Sequence, residues 1–262
     1  MLNINHFTYG WVTPLLAYLM SVLGSMLALR CMVRSRASGS HGGWLTAAAI
    51  ALGGTGIWVM HFIAMLGFSV HGATIRYNVP VTLFSAAVAM GVVWLGLSIV
   101  VRRGWDSAAL PVGGTITGLG VGAMHYSGMY AMKTDIALVY EPIVVALSMV
   151  IAVVASTAAL WFALHVHGFL ATVGAALLMG VAVCGMHYTG MFSMSAHTTA
   201  HAAHATGATA AQLLTPLIII ISMITMILLV QVGITEAEDP TLARPTHGQR
   251  ASRFWPSGQN SG

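Results

Sequence analysis

Three short stretches of the sequence each carry a histidine with methionine on both sides. The histidines are His61, His125 and His187. One methionine directly precedes each histidine and another follows four positions later; these methionines are Met60, Met65, Met124, Met129, Met186 and Met191. On a helix, side chains four positions apart lie on one face. Imidazole and thioether groups are ligands of copper, and thioether favours Cu(I), so the pattern predicts a copper site.

Other groups that could bind a soft metal lie close to these stretches in the sequence. The further candidate ligands are Cys184, Met132, Met194, His197, His201 and His204. The first three are spaced three or seven positions from a motif histidine, which on a helix is the same face. The last three have the spacing i, i+4 and i+7 and would form a metal-binding tract on a helix. A buried cysteine is commonly inert, and a loop rich in Ala, Thr and His can be merely polar, so both interpretations stay open.

The composition indicates that membrane helices carry these stretches. Of 262 residues, 57% are hydrophobic and 6% are charged, whereas a soluble domain has roughly 25% charged residues. The mean hydropathy is +0.84, which also excludes a disordered chain. The net charge of +4 rests on only 10 basic residues and gives no indication of nucleic-acid binding. Two cysteines are too few for a disulfide framework.

Seven segments have the roughly 20 apolar residues that cross a bilayer. They are Trp11–Val33, Trp44–Phe68, Val79–Val101, Leu110–Met132, Pro142–Leu164, Phe169–Met194 and Leu213–Ile234. We therefore expect an all-α integral membrane domain of seven transmembrane helices over residues 1–234. With the N-terminus outside, eight of the 10 basic residues lie on the inner side, and Arg76 and Lys133 lie outside. The positive-inside rule thus predicts an N-out, C-in orientation.

Residues 235–262 form a polar tail rich in Pro, Gly and Ser, which we expect to be disordered in the cytoplasm. About 28 residues are too few for a catalytic domain. The sequence also has no pattern of an activated nucleophile or a carboxylate pair. We therefore expect a protein that is not an enzyme. It either signals through a separate partner protein or has another role, such as metal binding or delivery.

The three histidine stretches mark an internal repeat. The interval from His61 to His125 nearly equals the interval from His125 to His187, so each repeat has two spans and the seventh span is an addition. Two-span units keep one orientation and are related by an axis along the membrane normal. Each histidine lies seven residues, or roughly 10 Å, inside the outer end of its predicted span. We therefore expect the three histidines to converge at one depth near the outer face.

Several interpretations of the histidines remain open. Intramembrane ionisable residues are costly and point to function, and the predicted spans contain no Asp or Glu, which disfavours a site for Mg or Ca. A histidine can also hydrogen-bond across a helix pair, and methionine can fill an apolar core. Two other classes of protein fit: a haem-binding membrane cytochrome, and a copper-handling transporter or channel with a histidine-lined pore.

Smaller and aromatic residues beside the histidines predict packing roles. Gly114, Gly118 and Gly122 form a ridge of small residues, which is typical of close helix contacts. Tyr126 and Tyr188 directly follow their histidines, whereas the first repeat has a phenylalanine there. Because one repeat lacks the hydroxyl group, we expect these rings to support the packing.

The repeated stretches resemble the MHYT domain, a family of bacterial integral membrane modules named for a Met-His-Tyr-Thr motif. The third repeat has the full motif, the second has Ser127 in place of Thr, and the first has Phe62, Ile63 and Ala64. The resemblance covers about Phe7 to Ile234. It implies a multi-pass sensor of the bacterial plasma membrane in which the nine motif Met and His residues bind copper. The implied signal is oxygen, carbon monoxide, nitric oxide or copper itself, and members are often fused to diguanylate cyclase, phosphodiesterase or histidine-kinase domains.

Overall fold

The computed structural model describes residues 2–38, 41–103, 107–197 and 206–237. Its helices are α1 (Val12–Ser38), α2 (His41–Ala49), a π-helical segment (Ile50–Val59), α3 (Met60–Leu66), α4 (Val79–Arg103), α5 (Ala109–Tyr130), α6 (Pro142–His165), α7 (Phe169–Phe192) and α8 (Ala210–Ala237). The segments from α2 to α3 follow one another directly, so these residues contain seven long helices. The fold is all-α, as the apolar segments predict.

Six of the seven helices are long and apolar enough to cross a membrane. The helix outside this set is α5, which contains six glycines within 22 residues. Glycine adds little hydropathy, and it also allows a neighbouring helix to approach closely. The composition that lowers the hydropathy of α5 therefore also serves its packing.

The glycine ridge of α5 lies against α6. A methyl group at Gly118 would collide with the backbone of Val153, and one at Gly114 would collide with Thr157. Gly122 lies in the same way against the thioether of Met149. The predicted close contact is confirmed, because side chains at these positions would push the two helices apart.

The three histidine-bearing helices end sooner than the sequence predicts. Each ends five residues after its histidine, at Leu66, Tyr130 and Phe192. Met132 and Met194 therefore lie in short strands, and their placement on a helical histidine face is wrong. Each helix ends at a residue that donates its N–H to two carbonyls of the last turn: two and three positions back after α3 and α7, and two and four positions back after α5.

Six short strands cover the end of the bundle where these helices stop. They are β1 (Ile4–Asn5), β2 (Ser69–Val70), β3 (Ile75–Tyr77), β4 (Met132–Thr134), β5 (Ala137–Tyr140) and β6 (Met194–His197). The antiparallel pairs are β1 with β2, β3 with β4, and β5 with β6. Each pair, here called a ribbon, joins the strand before the first helix of a repeat to the strand after its second helix. A bridge between Leu2 and Ala196 links the first ribbon to the third.

The additional helix α8 packs against the π-helical segment of the first repeat. The hydroxyl groups of Thr55 and Thr225 are hydrogen-bonded to each other, and both residues are buried. The corresponding stretches of α5 and α7 are α-helical. The contact with α8 and the π-helical geometry therefore occur together in one repeat, directly before the motif histidine.

Candidate metal centre

The three motif histidines meet on the axis of the bundle, as predicted. The Nδ1 atoms of His61 and His187 are 3.0 Å apart, those of His125 and His61 are 3.2 Å apart, and those of His187 and His125 are 3.3 Å apart. The side chains are 0–1% exposed. Neighbouring rings cross at 80–90°, so the three imidazoles form a propeller. This cluster is called the histidine triad below.

The convergence of three Nδ1 atoms raises a protonation problem. A nitrogen of a neutral imidazole carries either a proton or a lone pair. Mixed tautomers let one Nδ1–H donate to a neighbouring lone pair, but no such arrangement gives all three nitrogens a hydrogen bond of their own. A cation between three lone pairs would be attracted by all three nitrogens. A point equidistant from the three nitrogens in their plane lies about 1.8 Å from each. Metal bonds to imidazole nitrogen are about 2.0–2.1 Å long, so an ion slightly above this plane fits the triad.

The opposite edges of two imidazoles lie against the next repeat. The Nε2 atom of His61 faces Gly128, and that of His125 faces Gly190. Each glycine lies three residues after the histidine of the following repeat, where the first repeat has Ala64. None of the three Nε2 atoms has a hydrogen-bond partner among the described residues. On the Nε2 side, contact with glycine and not a hydrogen bond therefore limits how the rings of His61 and His125 can turn.

An aromatic ring stands edge-on beside each imidazole. The ring centroids of His61 and Phe62 are 4.7 Å apart, and the second and third repeats place Tyr126 and Tyr188 at 4.9 and 5.0 Å. The interplanar angles are 78–86°. Tyr126 also hydrogen-bonds to Ser148 at 2.6 Å. Because phenylalanine has the same edge-on geometry, the shared role of this position is packing.

The structure buries all six motif methionines, with exposures of 1–2%. Their surroundings differ between repeats. Met60 packs with Ala17 and Ala64 in a small separate cluster, whereas Met186 lines an apolar cavity inside the bundle. Burial fits both a ligand and a core residue, so the role of the thioethers stays a prediction.

The further candidate ligands lie outside the triad. Within the described ranges, the one group of side chains close enough to share a metal contains the three histidines without Cys184. Cys184 is half-buried and packs against the cluster of Met60 and Ala64. His197 ends strand β6 opposite Ala137, so its placement on a helical tract is wrong. Residues 201 and 204, the other two histidines of that tract, lie outside the described residues.

Sequence reasoning missed the role of Gly128 and Gly190. The signal was present, because both stand three positions after a motif histidine. The spacing alone does not indicate a role, because the histidine that contacts each glycine belongs to the preceding repeat. The ribbons were missed as well, since strands of two to four residues have too few positions to show alternation.

Comparison with known proteins identifies the repeat. The family model MHYT, described as a bacterial signalling protein N-terminal repeat, matches residues 54–113 and 118–176. The chain belongs to the MHYT family. The first matched segment contains His61 and the second contains His125. The resemblance seen in the motif residues is confirmed, and with six apolar helices the MHYT chain is a multi-pass protein of the bacterial inner membrane.

The relatives of this MHYT chain are larger signalling proteins. It is 39% identical over 191 residues to the bifunctional diguanylate cyclase/cyclic di-GMP phosphodiesterase MucR of Pseudomonas aeruginosa, covering 70% of this chain and 28% of that protein. It is 33% identical over 195 residues to the cyclic di-GMP phosphodiesterase NbdA of the same organism, covering 71% and 24%. The signaling protein YkoW of Bacillus subtilis is 29% identical over 161 residues, covering 59% and 20%. The chain thus spans between a fifth and just over a quarter of these proteins. No solved structure matches the chain.

Proposed function

We propose that this chain is a copper-binding sensory module of a bacterial membrane signalling system. The observation that carries the proposal is the set of three buried Nδ1 atoms within 3.3 Å of one another. His61, His125 and His187 would hold the ion. Copper suits a site of imidazoles in methionine-rich surroundings without carboxylates. Bound there, it would supply a redox-active centre that responds to its ligands.

We further propose that α5 spans the membrane with the other six helices. Its histidine shares a centre with those of α3 and α7, and all three helices end five residues after their histidine. A helix at the same depth, packed between α4 and α6, must cross the same layer. Arg36, Arg102 and Arg103 lie at the opposite end of the bundle from the ribbons. This distribution supports the N-out, C-in orientation.

A small apolar ligand of the centre is supported by the cavity beside α7. The cavity measures about 30 Å³ and is lined mainly by aliphatic side chains, together with Thr117 and Ser156. A water-sized molecule needs about 10–15 Å³ on this measure, so a diatomic gas fits. Met186 lines the cavity and directly precedes His187 in the chain. If the cavity admits the gas, Ala155→Phe should weaken the affinity of the copper-loaded protein for carbon monoxide.

The spacing of the triad argues against the two other classes of protein. Haem places its axial ligands on opposite faces of a macrocycle, whereas the three Nδ1 atoms are packed against one another. A pore needs an open axis, and the imidazoles close the axis at this depth. The relatives' names suggest a cyclic di-GMP output. We propose that this region has no enzyme activity and that catalytic domains outside it, on a partner protein or elsewhere, provide the output.

Metal analysis of the purified protein tests the proposal. The wild type should bind about one copper ion per chain after reconstitution, and the triple variant His61→Ala/His125→Ala/His187→Ala should bind none. A matched control replaces three exposed histidines: His71, His165 and His167. The control should bind copper as the wild type does. An equal copper content in the wild type and the triad variant would contradict the assignment of the three histidines as ligands. Binding of zinc in place of copper would contradict the assignment of the ion.

A further inference from the structure

The ribbons lie at the end of the bundle nearest the triad, and each repeat has one residue at an equivalent position there. This position is called the cap position below. In each ribbon, the residue nine positions after the motif histidine pairs with a residue of the other strand. These partners are Ile4, Ile75 and Leu138 in the first, second and third repeats. Two residues beyond these partners lie His6, Tyr77 and Tyr140. The second and third repeats therefore have tyrosine at the cap position, and the first repeat has histidine.

The cap residues contact the aromatic rings that surround the triad. The ring centroids of Tyr77 and Phe62 are 6.1 Å apart, and those of Tyr140 and Tyr126 are 6.3 Å apart. Each of these tyrosines therefore packs on the ring beside the histidine of the preceding repeat. In the first repeat, His6 instead contacts Phe192 at the end of α7, the helix that carries His187.

His6 has the properties of a metal ligand whose binding atom has no hydrogen-bond partner. Its ring lies 5.0 Å from Phe192 and 5.7 Å from Phe68, where the first repeat meets the third. Its Nδ1 atom is buried and has no partner within the described part of the chain. Burial lowers the pKa of His6, which favours the neutral imidazole that binds metal. His6 thus lies against the end of α7, the helix that carries His187.

We propose that His6 is the transfer ligand through which Cu(I) enters the triad. This inference rests on the proposed copper site. The triad is 0–1% exposed, so an ion that arrives at the ribbon end must pass the residues at the cap positions. Two of these residues are tyrosines, which offer neither a soft ligand nor an imidazole. Cu(I) is released by its donor, binds the His6 imidazole and is then bound by His187 in a ligand exchange. Its oxidation state does not change, and no net proton is released, because a neutral imidazole binds the ion through a lone pair and keeps its one proton on the other nitrogen.

The rate of copper uptake tests this role separately from the capacity for copper. Purified protein is mixed with Cu(I) held by a coloured chelator, and the loss of colour is followed over time. The variant His6→Tyr takes the residue that the other two repeats have at this position, so the ribbon should accept it. We expect uptake at least about tenfold slower than in the wild type, with the same final copper per chain. The matched control His71→Tyr, on an exposed histidine at the same end, should load at the wild-type rate.

A rescue variant gives a second measurement. Tyr140→His, combined with His6→Tyr, puts a histidine at the cap position of the third repeat and should restore much of the uptake rate. Equal rates in the wild type and His6→Tyr would overturn the transfer role while leaving the copper site intact. Less final copper in His6→Tyr would also overturn it, by making His6 a permanent ligand. If the wild type binds no copper, the proposed function fails along with this inference.

Discussion

The Nε2 edge of His61 lies against Gly128, three residues after the motif histidine of the next repeat. His125 lies against Gly190 in the same way. The neighbouring repeat thus helps to position the imidazoles of His61 and His125. Room for the ring depends on the absence of a side chain at the glycine.

Replacing Gly128 with alanine should disrupt the triad. The added methyl group would collide with the His61 ring, and overpacking of a buried site costs about 1–3 kcal/mol. We expect lower stability in a detergent unfolding titration and weaker copper binding in the same preparation.

Gly185→Ala is the matched control for Gly128→Ala. It lies on α7, two residues before His187, and a methyl group there would meet open space. It should leave copper binding unchanged and stabilise the helix by about 0.5–1 kcal/mol. If Gly128→Ala behaves like this control, the contact between imidazole and glycine has no role.

The three histidines should contribute equally to copper binding. The three distances between Nδ1 atoms are nearly equal, since they range only from 3.0 to 3.3 Å. Each single alanine variant removes one of three ligands, so we expect similar losses of affinity, of at least about tenfold, measured by competition with a chelator. A His61→Ala variant that keeps wild-type affinity would show that the divergent first repeat is not part of the site.

The hydroxyl pair between the π-helical segment and α8 should couple these two elements. Thr55→Val removes one partner, and Thr225 keeps its bond to the Ile221 carbonyl. We expect a coupling energy of about 0.6 kcal/mol in a double-mutant cycle of Thr55→Val and Thr225→Val, the average for such bonds in membranes. Thr46→Val serves as the control, since Thr46 is exposed and bonds within its own helix. Additive effects of the two valine substitutions would show that the contact is energetically unimportant.

The close contact of α5 with α6 should be sensitive to a single methyl group. Gly118→Ala would place it against the Val153 backbone, which cannot move aside as a side chain can. We expect destabilisation by about 1–3 kcal/mol, measured by unfolding in mixed detergent. Gly174→Ala, which faces open space on α7, should not destabilise. Equal stability of the two variants would mean that the helices separate freely.

The sequence predicts the features that depend on regular spacing. Stretches of about 20 apolar residues indicate the helices, and the near-equal intervals between His61, His125 and His187 predict that the three meet at one depth. The predictions fail where a helix ends and the backbone turns. The spacing predicts Met132 and Met194 on a helical face, but α5 and α7 end before these residues.

Contacts between repeats could not be predicted from one sequence. Gly128 gains its role from His61 in the preceding repeat, which is distant in the sequence, and helical periodicity says nothing about which neighbour faces a glycine. The contact of the π-helical segment with α8 could not be predicted either. Thr55 meets Thr225 from a helix that is not part of the repeat, and no local pattern connects two positions so far apart.

The centre needs all three repeats, because each contributes one histidine and two of the imidazoles also lie against the following repeat. A lone two-helix unit would have a histidine without the glycine that holds it, and two units would supply only two of the three histidines. The smallest arrangement that forms the site is a set of three. Here a single chain supplies all three units, so the stoichiometry of one centre per chain is fixed by covalent connection.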